Sequence, residues 1–470
     1  MGEATGTEIE YRVKEKISVR EKACYGVGAM ADALIWSSVS AFGTYYYTNS
    51  AGLAAGAVGT MFLVSRIFDG FSDVLMGLII DKTHSKHGKA RPWLLWMSIP
   101  YALAAILLFS VPQSFSPIAK LVWAYITYNL VSTVTYTAII QPYATLGTLI
   151  TDNQRDRTHL SIARMGVAMV GAVLLNFIVL PLVNGFGGDP SAWTKTFAIL
   201  GVVAVALFMI VFKNTKERLG VGASQEADSS GTEDKKKKDA IPTAKALRGL
   251  VTNKYWINRI LFGLLVTIST STTGVNVYYA TYWLENEGII GLLAIANVIP
   301  MVLSLILVTQ ISSKIGPRNT VQIGLGIMVL GLVLQLIAPK NLPLVLVGYA
   351  IRGFGTGLGT TLLMVMLGDT IDYGEWKNGF RTEGLIFSAS NIGTKIGSGL
   401  GAALLGWCLA WGGFNAEAAV QSSSAMNAIL VVFTVVPLVA AVLAFVLNLL
   451  YDLDKKMPQI LSDLKQRAEV

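Results

Sequence analysis

Long apolar segments alternate with short polar segments along the whole chain. A helix of about 20 mainly apolar residues crosses a hydrocarbon core that is about 30 Å thick. Six apolar segments of this kind precede Lys213. Six more begin near Tyr255, Gly288, Val321, Leu342, Thr382 and Met426. Because polar backbone groups inside a bilayer must be paired within the protein, the pattern predicts an all-α membrane protein with twelve transmembrane helices.

One long polar segment divides the apolar pattern into two halves. It includes the run SQEADSSGTEDKKKKD, from Ser224 to Asp239, a composition typical of a flexible linker. We therefore predict two bundles of six consecutive helices each. The predicted limits are 1–213 for the N-terminal bundle, 214–253 for a cytoplasmic linker, 254–450 for the C-terminal bundle and 451–470 for a cytoplasmic tail.

The composition supports a membrane location. Of the 470 residues, 53% are hydrophobic and 14% are charged, whereas soluble domains are about 45–50% apolar and 25% charged. The net charge of +8 comes from lysines and arginines in the short polar loops, as the positive-inside rule expects. We therefore expect a multi-pass protein of the cell inner (plasma) membrane, in contact with lipid, with both termini cytoplasmic and no nucleic-acid partner.

Other function classes lack their sequence signals. The chain contains no G-x-x-x-x-G-K-[ST] phosphate loop, which argues against an ATP-driven pump. The 3 histidines fall in polar loops, and no nucleophile motif is evident. We therefore do not expect an enzyme.

Three charges lie inside the second predicted helix, at Arg66, Asp69 and Asp73. Spacings of three, four and seven residues place them on one helix face. Asp69 precedes Asp81 by twelve residues, so it lies about 18 Å from that helix end, near the bilayer centre. A charge there costs about 2.5–3.5 kcal/mol and marks a functional site by default. A structural ion pair is the alternative, but one arginine cannot neutralise two carboxylates, so we favour a cation site.

Further polar residues are predicted at mid-depth. Asp32 lies ten residues after Lys22 in the first helix. Lys395 follows Arg381 by fourteen residues, which is about 21 Å into the eleventh helix. A lysine at this depth needs an anion. We favour Asp69 or Asp73 in the empty carrier over a substrate as that anion.

Three stretches together carry a recognisable pattern. They are YGVGAMADALIW in the first helix, RIFDGFSDVLMGLIID closing on GKARPW, and GDTIDYGEWKNGFRTEG from Gly368 to Gly384. They resemble the glycoside–pentoside–hexuronide cation symporters, the melibiose-permease group of the major facilitator superfamily. The resemblance implies the major facilitator fold and sugar uptake driven by Na⁺, H⁺ or Li⁺ through alternating access of two six-helix halves. It implies no cofactor beyond a coupling ion, Na⁺ or H⁺.

The resemblance also implies a cation site. Na⁺ prefers hard oxygen ligands, and two aspartates with two hydroxyls supply them; the aspartates would hold Na⁺ if coupling is to sodium. Ser72 stands where the melibiose permease has asparagine, which leaves Na⁺ and H⁺ open. The matching positions are Asp69, Ser72, Asp73 and Thr137.

The implied sugar site departs from the galactoside-binding members. Ile140 replaces their acidic residue and Ala144 their stacking tryptophan, so galactoside specificity is not expected. Asp32 either pairs with Lys395 or accepts sugar hydroxyls. We rank a neutral sugar or glycoside ahead of a hexuronide or glucuronide. The candidate substrate residues are Asp32, Tyr136, Gln141, Arg164, Asn391 and Lys395.

The remaining charged residues of the two motifs are interpreted as a gate or an inter-helix charge network. Two alternatives to a sugar symporter stay open. A lysolipid carrier of the same fold would need a lateral apolar cleft, and a non-transporting sugar sensor would need a longer signalling tail than the residues after Tyr451. The candidate gating residues are Arg66, Asp81, Asp369, Asp372 and Arg381.

Overall fold

The computed structural model describes residues 17–219, 248–380, 383–418 and 420–468. Within these ranges the chain is built from helices and contains no strand. The predicted run from Ser224 to Asp239 lies outside the described residues.

Twelve long helices cross the bundle in alternating directions, six in each half. The first half contains α1 (19–50), α2 (Ala55–Asp81), α3 (Arg91–Leu108), α4 (117–149), α5 (Gln154–Gly185) and α6 (Pro190–Asn214). The second half contains α7 (Lys254–Trp283), α8 (Glu287–Ile315), α9 (Pro317–Ile337), α10 (Leu342–Asn378), α11 (Glu383–Trp411) and α12 (423–449). A shorter helix, α13 (Met457–Ala468), follows. The predicted architecture of twelve helices in two bundles is confirmed for this part of the chain.

Nine of the described helices are long and apolar enough to span a membrane by length and composition. The other three long helices are α1, α2 and α4. These three carry Asp32, Asp69 and Thr133, which belong to the candidate site described below.

Several helices begin where the sequence places a capping residue before proline. The Ser116 hydroxyl accepts a hydrogen bond from the Ala119 N–H at 3.3 Å, and Pro117 is the first residue of α4. The Asp189 carboxylate accepts one from the Ala192 N–H at 2.8 Å, immediately before Pro190. These side chains satisfy N–H groups that lack a partner within the helix, and proline has no N–H to satisfy.

The two halves meet along three helix pairs, α2 with α11, α5 with α8, and α1 with α7. We call the end of the bundle near Ile17 and α13 the proximal end, and the opposite end the distal end. At the distal end the Thr48 and Tyr278 hydroxyls lie 2.6 Å apart, and the Asn49 amide donates to the Tyr282 hydroxyl at 2.5 Å. The two halves are therefore bonded to each other at the distal end.

The α2–α11 contact at the distal end depends on glycine. A Cβ atom on Gly406 would lie 2.4 Å from the Ala55 carbonyl oxygen and 2.8 Å from the Gly59 Cα. Small residues of this kind let membrane helices approach closely. The distal ends of α2 and α11 therefore touch backbone to backbone.

Residues in both the predicted linker and the predicted tail form hydrogen bonds with the helix bundles. After α6, the Arg218 guanidinium binds both carboxylate oxygens of Glu21, at 2.8 and 2.9 Å. On α13, the Asp463 carboxylate accepts a hydrogen bond from the Trp376 indole N–H at 2.8 Å. Residues 215–219 thus bind the first half, and α13 binds the proximal end of α10.

Candidate functional site

The polar residues of α2 face a wide, π-helical turn of α4 that spans Leu130–Tyr136. Turns of this type occur frequently at functional sites because they displace side chains from regular helical positions. This turn and the residue after it bring Thr133 and Thr137 to the aspartates of α2.

Asp69 is bonded through both carboxylate oxygens and its residue is 2% exposed. Oδ1 accepts a hydrogen bond from the Thr133 hydroxyl at 2.5 Å, and Oδ2 accepts one from the Arg66 Nη1 at 3.2 Å. The Arg66 guanidinium also lies 4.4 Å above the ring of Trp36. One of the two aspartates is therefore neutralised within its own helix.

Asp73 has its charge partner in the other half of the protein. Its Oδ2 forms an ion pair with the Lys395 ammonium, which also donates to the Asp69 carbonyl oxygen at 2.8 Å. Its Oδ1 lies 3.4 Å from the Thr137 hydroxyl. The Asp73 and Lys395 side chains are 29% and 25% exposed, so this pair is more accessible than Asp69.

The predicted cation-binding residues thus lie together, between α2 and α4. The Ser72 hydroxyl donates to the Asp69 carbonyl at 3.0 Å and lies 3.3 Å from that of Thr137. We call the five oxygen-bearing residues the acidic cluster. Its oxygens suit Na⁺ or a proton, and the Lys395 ammonium contacts two of them. The acidic cluster consists of Asp69, Ser72, Asp73, Thr133 and Thr137.

Asp32 lies apart from Lys395. Its Oδ1 is 3.5 Å from the Tyr101 hydroxyl, and Arg164 attracts it electrostatically. The Asp32–Lys395 pair suggested by the sequence is not formed, because Lys395 lies on α11, which faces α2, and bonds there to Asp73. Arg164 also lies 5.1 Å from the ring centre of Tyr143.

The other predicted substrate residues are dispersed. The Tyr136 ring lies 4.4 Å from that of Trp36. Gln141 is half-buried on α4, and Asn391 is exposed on α11.

Of the predicted gating residues, Arg66 lies at mid-bundle, bonded to Asp69, rather than at an end. Asp81 pairs with Lys89 at 3.1 Å on the proximal surface. Asp369 lies in the electrostatic field of Asp372 and a third carboxylate, at the proximal end of α10. Arg381 lies outside the described residues.

A central cavity of about 410 Å³ lies between the halves. It is lined by α1, α5, α7, α8 and α10, and none of the six predicted substrate residues is among its described lining residues. The aromatic residues Trp36 and Tyr349 also line it. Its polar lining includes Asn176, Asn276, Asn297 and Arg352.

Sequence reasoning missed two residues that a simple signal could have found. Arg352 lies ten residues after Leu342, so it is about 15 Å into α10. As for Asp32, a charged residue at this depth indicates a functional site. Thr133 precedes Thr137 by four residues and therefore shares a helix face with it.

A second cavity, of about 610 Å³, lies at the proximal end between α1, α4 and α5. Arg164 lines it together with Tyr25 and Arg157. Arg164 therefore faces a space at the proximal end of the first half.

Comparison with known proteins agrees with this architecture. Residues 24–455 match the MFS/sugar transport protein family. The chain is 35% identical over 461 residues to the isoprimeverose transporter of Lactiplantibacillus pentosus, covering 97% of this chain and 93% of the relative. It is 33% identical over 448 residues to the inner membrane symporter YicJ of Escherichia coli (strain K12), covering 92% and 91% of the two chains.

The fold is similar to that of a bacterial homologue of the human lysosomal transporter Spinster in an inward-facing and occupied conformation. The TM-score is 0.63 at 11% identity, and the match covers 92% of this chain and 95% of that structure. Two six-helix halves with charged groups at the middle of their interface define a transporter of the major facilitator class. The chain belongs to the MFS/sugar transport protein family.

Proposed function

We propose that this protein is a cation-coupled sugar symporter that exposes its central cavity alternately at the proximal and distal ends. The ion pair between Asp73 and Lys395 carries the proposal, because it joins the two halves at the acidic cluster. The names of the two relatives, a transporter of isoprimeverose and a symporter, support it. Isoprimeverose and related glycosides are the first candidate substrates.

Coupling follows from competition at Asp73. The Lys395 ammonium contacts the Asp73 carboxylate and the Asp69 carbonyl. A bound Na⁺ or proton neutralises the Asp73 carboxylate in place of the Lys395 ammonium. Lys395 is then released from α2. Because Lys395 belongs to the other half, cation binding changes the energy of the α2–α11 interface and biases the equilibrium between conformations.

The positive-inside rule predicts the orientation of the protein in the membrane. Basic residues of the α2–α3 loop, including Lys82, Lys86 and Lys89, lie at the proximal end. By the positive-inside rule the proximal end is cytoplasmic. The proposed location is the inner (plasma) membrane, with lipid around the bundle.

Uptake by the purified protein in sealed proteoliposomes tests the proposal. The assay uses labelled isoprimeverose, melibiose and methyl-β-D-glucuronide, with an imposed Na⁺ gradient, an imposed H⁺ gradient or neither. We expect accumulation of isoprimeverose above the external concentration with one of the two gradients only. Equal uptake with and without both gradients would contradict symport, and no uptake of any sugar would contradict sugar transport.

A hexuronide is the second candidate substrate. Arg164 has no carboxylate within salt-bridge distance among the residues that the structure describes, and it lines the proximal cavity. A guanidinium binds a carboxylate through two parallel hydrogen bonds. If only methyl-β-D-glucuronide competes with labelled uptake, and Arg164→Gln removes that competition, the hexuronide replaces the neutral glycoside.

A further inference from the structure

Arg352 is a buried cation in the central cavity whose role is not explained by the proposed function. Its residue is 7% exposed, and its Nη2 donates to the Ser269 carbonyl oxygen at 2.7 Å. Its guanidinium lies 5.8 Å from the ring centre of Tyr349. Within the described ranges, no carboxylate lies within salt-bridge distance of it. The positive charge is therefore not compensated by an ion pair.

An unpaired guanidinium at this depth retains most of its binding capacity. Arginine carries five N–H donors in a planar fork that matches two neighbouring oxygen atoms. The bond to Ser269 uses one of them. Charged residues inside membrane proteins are costly and mark substrate or ion pathways.

The surroundings of Arg352 suit a sugar. The cavity of about 410 Å³ is lined by the amides of Asn176, Asn276 and Asn297 and by the ring of Trp36, and ligand sites generally measure about 300–1,000 Å³. The Tyr349 hydroxyl donates to the Asn276 Oδ1 at 2.7 Å, which leaves the Asn276 amide N–H₂ as a donor. Hydrogen-bond donors and an aromatic side chain thus lie on the walls of one space.

The Trp36 and Arg66 side chains link the central cavity to Asp69 of the acidic cluster. A smaller cavity of about 170 Å³ shares Ser40, Thr270 and Thr273 with it and is lined by Arg66. Trp36 lines the central cavity and stacks under the Arg66 guanidinium. The Trp36 and Arg66 side chains therefore lie between the central cavity and Asp69.

We propose that Arg352 is a specificity-determining residue that binds two adjacent oxygen atoms of the transported sugar. This role rests on the proposed sugar transport. The two oxygens belong either to neighbouring hydroxyl groups or to a carboxylate. In both cases the fork of Arg352 orients the sugar ring toward Trp36, and the second half of the protein supplies a direct substrate contact.

A purely structural role makes a different prediction. Ser269 lies just before the tighter turn Thr272–Gly274 in α7, so Arg352 also satisfies a carbonyl near that turn. A lysine retains the charge and can donate one hydrogen bond to Ser269, but it cannot bind two oxygens in a fork. Arg352→Lys therefore separates the two roles.

The experiment measures KM and maximal rate for isoprimeverose uptake in proteoliposomes. We compare wild type, Arg352→Lys, Arg352→Gln and the control Arg318→Lys. Arg318 bonds to the Leu449 carbonyl at 2.7 Å, outside the cavity. We expect both Arg352 variants to raise KM by about 10- to 100-fold, the factor for one lost charge-assisted hydrogen bond. The unfolding temperature in detergent should stay that of wild type for Arg352→Lys, and the control should keep the wild-type KM.

Competition by methyl-β-D-glucoside and methyl-β-D-glucuronide identifies the oxygen pair. Weaker competition by both in Arg352→Gln assigns hydroxyl groups, and weaker competition by the glucuronide alone assigns a carboxylate. An unchanged KM in Arg352→Lys, with uptake by wild type intact, overturns the role of Arg352 and leaves sugar transport standing. Failure of wild type to take up any of these sugars overturns both.

Discussion

At the residue scale, the bond between Lys395 and Asp73 connects the two halves at mid-depth. Asp69 has Arg66 as its cationic partner within α2, whereas the cationic partner of Asp73 is Lys395, across the interface. In the proposed mechanism, the two aspartates therefore have different tasks. Asp69 holds the cluster together, and Asp73 exchanges one positive partner for another.

Asp73→Asn should abolish accumulation of sugar against its concentration gradient. Exchange of sugar down its gradient should remain. The amide cannot bind the driving cation as a carboxylate does. One charge moving through 100 mV supplies about 2.3 kcal/mol, or roughly fifty-fold accumulation, and this factor should fall to one. The measurement is the steady-state ratio of internal to external sugar in proteoliposomes. The control is Asp156→Asn, which removes a proximal pair with Lys22; equal accumulation in both variants would argue against the cation site.

Thr133→Val should weaken cation binding because its hydroxyl lies 2.5 Å from Asp69 Oδ1. We expect the cation concentration for half-maximal uptake to rise by about tenfold, the effect of one hydrogen bond to a charged group. Thr135→Val is the matched control, since the Thr135 hydroxyl bonds only to the carbonyls of Leu130 and Val131. A similar rise in both variants would indicate a general disturbance of α4.

The sequence was sufficient to propose the charged members of the site but not all of their partners. The spacing of Arg66, Asp69 and Asp73 and the depth of Lys395 follow from helix geometry alone. The choice between Asp32 and Asp73 as the partner of Lys395 does not, because it depends on which helices face each other. The central cavity lies beside Arg352 and away from Gln141 and Arg164. Its position also depends on how the helices pack and could not be predicted from helix geometry alone.

At the element scale, the distal contact between α2 and α11 requires glycine. Gly406→Val adds a Cβ that would lie 2.4 Å from the Ala55 carbonyl oxygen, and two methyl groups beyond it, so the distal ends should separate. A cysteine at Thr48, in a variant without Cys24 and Cys408, should then react several-fold faster with a membrane-impermeant maleimide. Gly166→Val is the control, because a Cβ there meets no atom within 4 Å. Unchanged reactivity in Gly406→Val would show that this contact does not control distal closure.

A second element, residues 215–219, fastens the proximal end of the first half. The Glu217 carboxylate accepts hydrogen bonds from the backbone N–H groups of Lys89, Ala90 and Arg91 at 2.9, 2.8 and 2.6 Å. It thus serves as an anionic cap for the first turn of α3.

Glu217→Gln should lower the free energy of unfolding by about 1–3 kcal/mol, because it removes a buried charge that three N–H groups share. The unfolding temperature in detergent measures this loss. Glu417→Gln, at an exposed loop position, should leave that temperature unchanged. An equal effect of the two substitutions would mean that the 215–219 segment adds no specific stability.

At the scale of the whole molecule, the twelve-helix fold could be predicted because each apolar segment is long enough to cross a bilayer. The polar residues of α2 fit this prediction, since Arg66, Asp69 and Asp73 recur on one helical face. What remained hidden was the packing of one half on the other, which no local pattern encodes. The ordered contacts of residues 215–219 and of α13 were hidden for the same reason.

The pairing of Lys395 with Asp73 has an electrical consequence. With Arg66 on Asp69 and Lys395 on Asp73, the charges of these four residues sum to zero. In the proposed cycle, the protein without ligands then changes conformation without moving net charge through these four residues. In the same proposal, a bound cation adds one positive charge to these residues, so the membrane voltage acts on the conformational change of the loaded protein and has little effect on that of the empty protein. The transport cycle is thereby driven in one direction by the step that carries the sugar.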